Sequence, residues 1–330
     1  MAEVITSGAA DPPARPLVHT VVLTYNNFAD TDECLESLAA QSYAPHRLVL
    51  VDNHSSDGSG ERLREKWGPR VDFIDVGQNL GVAGGYNVGL RRALADGAAF
   101  VVVCNNDITV EPDFVEEMVA VFAADDRIGM AAPLTVYYDR PDSVWFAGIE
   151  LQPLLGVTRN LYRGRPVATV PRTLRDTDYV VTHAAMISGR AIAAAGEFDE
   201  RFFYGYDDLD YSLRLRERGF RCVIVGRTTV KHKVSVTSGS RGSGVLGPKS
   251  AYTYGLGTVL TGAKHNSGLR AIPFLVGLVV RMSYTLGSMA AAGRWDSAGS
   301  YLRGLASGFK GYGLALFTGS EASISPESRT

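Results

Sequence analysis

Cysteine is scarce in this 330-residue chain: Cys34, Cys104 and Cys222 stand far apart in apolar surroundings. Three thiols so placed exclude a disulfide framework and a clustered zinc site, and they predict a reducing, cytoplasmic setting. Residues 1–16 lack a basic segment followed by an apolar one, so they read as a flexible arm rather than a signal peptide. A clean run of ~20 apolar residues is also missing, because Arg281 interrupts the apolar stretch 272–280; amphipathic or packed helices are expected there rather than a membrane span. Acids are nearly absent from the C-terminal third. Between Arg218 and Lys310, thirteen Lys and Arg face one acid, Asp296, although the net charge of the chain is only -2. That imbalance suits phosphates of a ligand or an anionic membrane surface better than nucleic acid, and no nucleic-acid partner is expected. A basic helical subdomain packed on the rest of the chain is the alternative. Neither a P-loop nor the G-x-G-x-x-G of dinucleotide enzymes occurs.

A hydrophobic content of 45% with 21% charged residues indicates a globular chain, apart from the Ser/Glu-rich segment 319–330, which is expected to be disordered. Strands are expected at 17–24, 47–51, 71–76, 100–104, 128–133, 144–151 and 228–233. Helices are expected at 61–67 and 82–95, after Asp30 and Glu33 as a capping box, and from Glu111-Pro112-Asp113. Segment 152–177 gives no periodicity and reads as a surface excursion. Strands alternating with helices predict βαβ units and a mostly parallel, Rossmann-like sheet, with ligands at the strand C-terminal ends.

Chemistry-bearing residues gather at those ends. The apolar run Val101-Val102-Val103-Cys104 stops at Asn105-Asn106-Asp107, which makes Asp107 a candidate cation ligand. Asp52 closes another strand. Glycines 77, 81, 84, 85 and 89 crowd the start of a helix, where exposed amides favour a phosphate; close helix packing explains the same glycines equally well. Downstream, Phe202-Phe203-Tyr204-Gly205-Tyr206 precedes Asp207, Asp208 and Asp210. Asp210 has Arg214 as an i,i+4 partner and Asp207 can cap the helix, which leaves Asp208 as the candidate base. His232, after a strand, is structural unless it meets the other clusters.

In their order, these motifs resemble family 2 glycosyltransferases of the GT-A fold, in the branch of rhamnosyl- and galactofuranosyltransferases. The resemblance rests on 21–26, Asp52-Asn53 with 55–59, 79–89, Asn105-Asn106-Asp107, Phe198-Asp199-Glu200, Asp207-Asp208-Leu209-Asp210 and His232. It implies a catalytic domain at 17–235, with a nucleotide-sugar-binding half (17–110) and an acceptor half (111–235), followed by a basic helical region (236–318). Thr24, Tyr25, Asn26, Asp52 and Asn53 would hold the nucleotide, and Asn79, Gly81, Ala83, Gly84, Asn87, Asn105 and Asn106 would line the rest of the donor. Asp107 and His232 would bind Mg²⁺ or Mn²⁺, and Asp208 would deprotonate the acceptor in an inverting transfer. Where the family's metal motif often begins with Asp, this chain has Asn105. The implied donor is a dTDP- or UDP-sugar, with dTDP-rhamnose favoured. The implied acceptor is a lipid-linked glycan of cell-envelope polysaccharide assembly, which would put the enzyme peripherally at the inner membrane face; decoration of a small natural product, or donor binding without catalysis, are the alternatives.

Overall fold

A computed structural model describes residues 15–152, 157–234 and 246–318. Its first half alternates strand and helix: β1 (Val18–Thr24), α1 (Phe28–Ala39), β2 (His46–Asp52), α2 (Ser59–Trp67), β3 (Asp72–Asp75), α3 (Gly81–Ala95) and β4 (Phe100–Asn105). The strands lie side by side as β3-β2-β1-β4, all parallel. Because β1, β2 and β4 are apolar on both faces, each face needs a cover. Leu35, Leu38, Leu63 and Trp67 of α1 and α2 supply one, and Ala83, Tyr86 and Leu90 of α3 supply the other.

Next come β5 (Ile108–Val110), α4 (Phe114–Ala124), β6 (Ile128–Tyr137), β7 (Arg140–Phe146), β8 (Ile149–Gln152), β9 (Val157–Asn160), β10 (Leu174–Asp176), β11 (Ala184–Ser188), α5 (Gly189–Ala195), α6 (Asp207–Glu217) and β12 (Arg221–His232). Beyond β4 the sheet continues through β11, β6, β12 and β10. β11 runs antiparallel to both β4 and β6, so one half of the sheet is parallel and the other mixed. Helices α7 (Pro248–His265), α8 (Ala271–Ala291) and α9 (Trp295–Thr318) form a third core with Phe202, Tyr206 and Leu209.

Several expectations need correction. Asn27, not Asp30, caps α1: its side chain accepts from the Asp30 backbone N–H, while Asp30 and Glu33 bind Lys233. The single strand expected over 144–151 is split into β7 and β8 at Gly148, whose φ of 111° suits glycine. Segment 152–177 is not purely irregular, for it holds β9 and β10; the arm 1–14 and the tail 319–330 lie outside the described residues. By length and composition alone, Gly268–Ala291 is one helical stretch of 24 residues apolar enough to cross a membrane, where no clean apolar run was expected. Arginine is a good helix former, so Arg281 breaks the apolar run without breaking the helix.

Candidate active site

Parallel pairing puts the ends of β1, β2 and β4 side by side, with Thr24 opposite Asp52 and Leu23 opposite Asn105. Thr24 is fully buried, and its hydroxyl meets Thr31 Oγ1 at 2.9 Å and Asn106 Nδ2 at 3.2 Å, so it orients Asn106 from below. Tyr25 and Asn26 follow at the surface. Asn26, in the left-handed region, donates its N–H to Ser55 Oγ (2.7 Å) and accepts from Ser56 N (2.8 Å). The buried Asp52 carboxylate accepts from Ser55 N and Oγ at 3.0 and 2.6 Å. A side chain at Gly60 would sit 2.1 Å from its other oxygen, so that glycine lets Asp52 lie against the first turn of α2.

The glycine-rich segment is tied to β2 and to the acidic cluster. Asn53 donates to Asn79 Oδ1 (3.1 Å) and the Gly81 carbonyl (3.0 Å), and accepts from Leu80 N (2.8 Å). Val82 N donates to the Phe203 carbonyl at 2.8 Å, and a Cβ at Gly81 would come within 2.4 Å of that oxygen. Close packing accounts for other glycines: a Cβ would lie 2.4 Å from Leu23 at Gly85, 2.1 Å from Val21 at Gly89 and 2.8 Å from Leu80 at Gly84. Ala83 belongs to the buried core, and Asn87 is a latch, exchanging two 2.9 Å bonds with the backbone of Phe198. Asn79, Asn105 and Asn106 keep some exposure beside the surface residues Tyr25 and Asn26.

At the end of β4, Asp107 Oδ1 lies 3.1 Å from His232 Nε2, brought there because β12 pairs His232 with Ile108 of β5. Both are almost fully buried. His183 stacks on His232, with ring centroids 5.3 Å apart, and Trp145 meets both rings edge-on at 4.7 and 4.3 Å. Burial and His232 hold His183 well below the ordinary imidazole pKa, so it is a neutral ring, bonded to Thr135 Oγ1 at 2.6 Å. Neither His183 nor Trp145 stood out in the sequence as a site residue. His183 sits alone within an apolar segment, and only its position seventy-six residues after Asp107, just before the strand paired with β4, where its carbonyl accepts from Asn105 N, brings it here.

The three acids of α6 separate by environment. Asp210, fully buried, pairs with Arg214 (2.9 Å), Lys264 (2.5 Å) and His265 (2.9 Å), and the basic partners outweigh burial and lower its pKa. Tyr206, not Asp207, is the N-cap; Asp207 is the first helical residue, buried, and held well above the usual carboxylate range by burial and by Asp208. Asp208 is part-exposed, and removal from water pushes its pKa up to about 6. Tyr86 feels both clusters. Its hydroxyl donates to Asn105 Oδ1 (2.9 Å), and burial first, then Cys104, Asp207, Asp107 and Asp208, raise its pKa well above the ordinary value.

The Asp107 carboxylate suits Mg²⁺ or Mn²⁺, His232 beside it is a second candidate ligand for a divalent cation, and among the described residues His232 Nδ1 is buried without a hydrogen-bond partner. Among the described residues no three His, Cys, Asp or Glu side chains converge on one point. A cavity of about 410 Å³, bordered by Glu150, Asp176, Arg216 and Arg221, touches none of these residues.

The model of the family described as Glycosyl transferase family 2 matches residues 20–186, just over half of the chain. The protein belongs to family 2 of the glycosyltransferases. It falls in the branch related to rhamnosyl- and galactofuranosyltransferases. The dTDP-rhamnosyl transferase RfbF of Shigella flexneri is 22% identical over 66% of this chain and 69% of its own. The N-acetylglucosaminyl-diphospho-decaprenol L-rhamnosyltransferase of Mycobacterium tuberculosis is 24% identical over 71% of this chain and 81% of its own. Mannosyltransferase PcManGT from Pyrobaculum calidifontis, solved with GDP-Man and Mn²⁺, superposes with a TM-score of 0.53 at 18% identity, covering 96% of this chain and 85% of that one. The glycosyltransferase thus has the GT-A fold. The family match ends before Asp208 and His232, and the meeting of His232 with Asp107 is seen in the fold alone.

Proposed function

We propose that this glycosyltransferase is an inverting, divalent-cation-dependent enzyme that moves rhamnose from dTDP-rhamnose to a hydroxyl of a lipid-linked glycan in cell-envelope polysaccharide assembly, working in the cytoplasm at the inner membrane face. The observation that supports this reading is that Asp107, which meets His232 at 3.1 Å, and Asp208 both act electrostatically on the buried Tyr86 hydroxyl. Sugar transfer needs counter-charge for a departing diphosphate and a base for the incoming hydroxyl within one substrate length. The names of the Shigella and Mycobacterium relatives favour the rhamnosyl donor and the lipid-diphosphate acceptor.

In this reading residues 17–110 are the donor half. Tyr25, Asn26, Asp52 and Asn53 face the nucleotide from the ends of β1 and β2, Thr24 supports them from beneath, and Asn79, Asn105 and Asn106 line the sugar diphosphate beside the turn at Gly81. Asp107 and His232 would hold a Mg²⁺ or Mn²⁺ ion, which when bound offsets charge on the diphosphate. Asp208 accepts the proton of the acceptor hydroxyl. That oxygen forms the new bond to the anomeric carbon on the face opposite the diphosphate, the anomeric carbon–oxygen bond breaks with its electron pair leaving on dTDP, and the proton stays on Asp208.

The test is a panel of dTDP-rhamnose and UDP-sugars, each with Mg²⁺, with Mn²⁺ or with chelator, scored by nucleotide release and by transfer to lipid-linked and small-molecule acceptors. Metal-dependent turnover of dTDP-rhamnose with the lipid-linked acceptor supports the proposal. Turnover of a UDP-sugar alone, or transfer only to a small natural product, replaces its donor or acceptor half.

A further inference from the structure

Helix α8 has two different faces. Ala271, Phe274, Gly277, Leu278 and Met289 are buried, and Phe274 lies over Gly262 of α7, where a Cβ would be 2.3 Å from the ring. The opposite face carries Ile272, Val276, Val279, Val280 and Tyr284, each more than half exposed, at the i, i+4, i+7, i+8, i+12 spacing of one helical stripe. Ser283 and Gly287 complete the stripe, and it contains no charge. Exposed Arg270 precedes it, Leu269 beside that arginine is almost fully exposed, and Arg294 with exposed Trp295 follows its end.

We propose that this stripe is a docking surface that lies in the plane of an anionic bilayer, burying its aliphatic side chains among the acyl chains while the flanking arginines meet the headgroups. The inference deepens the membrane-linked acceptor proposed above and rests on it. Three observations choose the occupant. Across 249–318 there are seven basic residues and one acid, and with Lys264 paired inward to Asp199 and Asp210 the other six still outnumber it, so a second copy of this surface would bring like charges together, whereas anionic headgroups complement them. Tyr284 and Trp295, aromatic rings with a polar edge, stand exposed at one end of the stripe, where a membrane interface favours them. The four segments outside the described residues, 1–14, 153–156, 235–245 and 319–330, offer at most three large apolar side chains each, too few for any one of them to cover five.

Lying flat is favoured over crossing. Arg281 falls at the middle of α8, where a spanning helix would put its charge at the bilayer centre, and the inner face of α8 is already buried on the protein. The placement also serves the chemistry. A cavity of about 130 Å³ is bordered by Tyr206 and Leu209 of the α6 region and by Phe274 and Arg281 of α8, so a bilayer on the outer face lies about one helix diameter, ~10 Å, from the helix that carries Asp208.

The test uses the full chain with vesicles of phosphatidylcholine alone or with phosphatidylglycerol, at low and high salt, read by sedimentation and by quenching of Trp295 with lipids brominated near the headgroup or at the chain ends. Expected are binding to the anionic vesicles that weakens with salt, quenching by the shallow label, and at least a ~10-fold loss of affinity in Val276→Asp/Val280→Asp, with donor turnover in solution unchanged. Tyr284→Ser, a milder change, should weaken binding in the same direction if the double variant does not fold. Wild type left in the supernatant with anionic vesicles at low salt overturns the proposal. So does undiminished binding by the folded double variant, or a wild-type dimer that the double variant dissociates without affecting vesicle binding. Donor turnover is read without vesicles, so failure of docking and failure of the proposed activity are separate results.

Discussion

Replacing Asp208 by asparagine should move activity and stability in opposite directions. In the folded enzyme its pKa is about 6, against about 3.9 for an unfolded aspartate. A base with that value is about nine-tenths ionised at pH 7 and one-tenth at pH 5, so kcat at saturating donor should fall ~10-fold between them. The asparagine variant should lose ~10²–10⁴ of kcat and keep its affinity for donor. For stability the sign reverses. A folded pKa above the unfolded one means that the native state binds the proton more tightly, so Asp208 is neutral in its effect below about pH 4 and costs stability increasingly as pH rises through 6. Two units correspond to about 3 kcal/mol at most, and part exposure to water reduces the expected gain in the variant to about 1–2 kcal/mol at pH 8. Urea unfolding at pH 4 and 8, alongside kcat at pH 5 and 7, measures both effects. Retained turnover in the variant, or a loss of stability at pH 8, refutes the assignment of Asp208 as a base kept at the expense of the fold.

Asp107→Ala should abolish turnover and remove the cation dependence of donor binding, measured by calorimetric titration of donor with and without Mn²⁺; equal cation dependence in wild type and variant would count against the Asp107–His232 pair. Asp210→Asn, two residues from Asp208, should instead destabilise by about 3–5 kcal/mol at pH 7, because Arg214, Lys264 and His265 lose their buried counter-charge. Its folded pKa is depressed, so that penalty should vanish as pH falls below the ordinary aspartate range, and denaturant midpoints against pH report it. Gly89→Ala should destabilise by about 1–2 kcal/mol despite alanine's better helix propensity, since its Cβ would press on Val21; a raised melting temperature would show that α3 can move away from β1.

The parallel half of the sheet was legible because buried strands leave a plain signature, and the β-branched runs ending in Thr24, Asp52 and Asn105 are of that kind. Direction left no such mark in Ala184–Ser188. Buried apolar residues such as Ala184, Met186 and Ile187 fit a parallel or an antiparallel place equally, so the reversal of β11, which delivers His183 at its start, emerges only from pairing. The capping error at α1 has the same origin. Asp30 and Glu33 have capping-box spacing, but Lys233 lies two hundred residues away and binds both, while Asn27 in the left-handed region takes the cap. At α3 both readings of the glycines stood on local grounds, and Val21, Leu23 and Leu80 supply the contacts that favour packing at positions 84, 85 and 89.

Asn105, the departure from the family's first metal-motif acid, follows from what surrounds it. Its side-chain oxygen accepts at 2.9 Å from the fully buried Tyr86 hydroxyl, which also reaches the Thr182 carbonyl at 3.1 Å. A carboxylate would accept the same bond, but it would add a negative charge to a site where Asp107, Asp207 and Asp208 already act together on Tyr86 and where burial has driven Asp207 toward its neutral form. Each further buried charge of the same sign raises the pKa of the others. An amide supplies the acceptor without the charge, and so leaves Asp208 able to ionise near neutral pH.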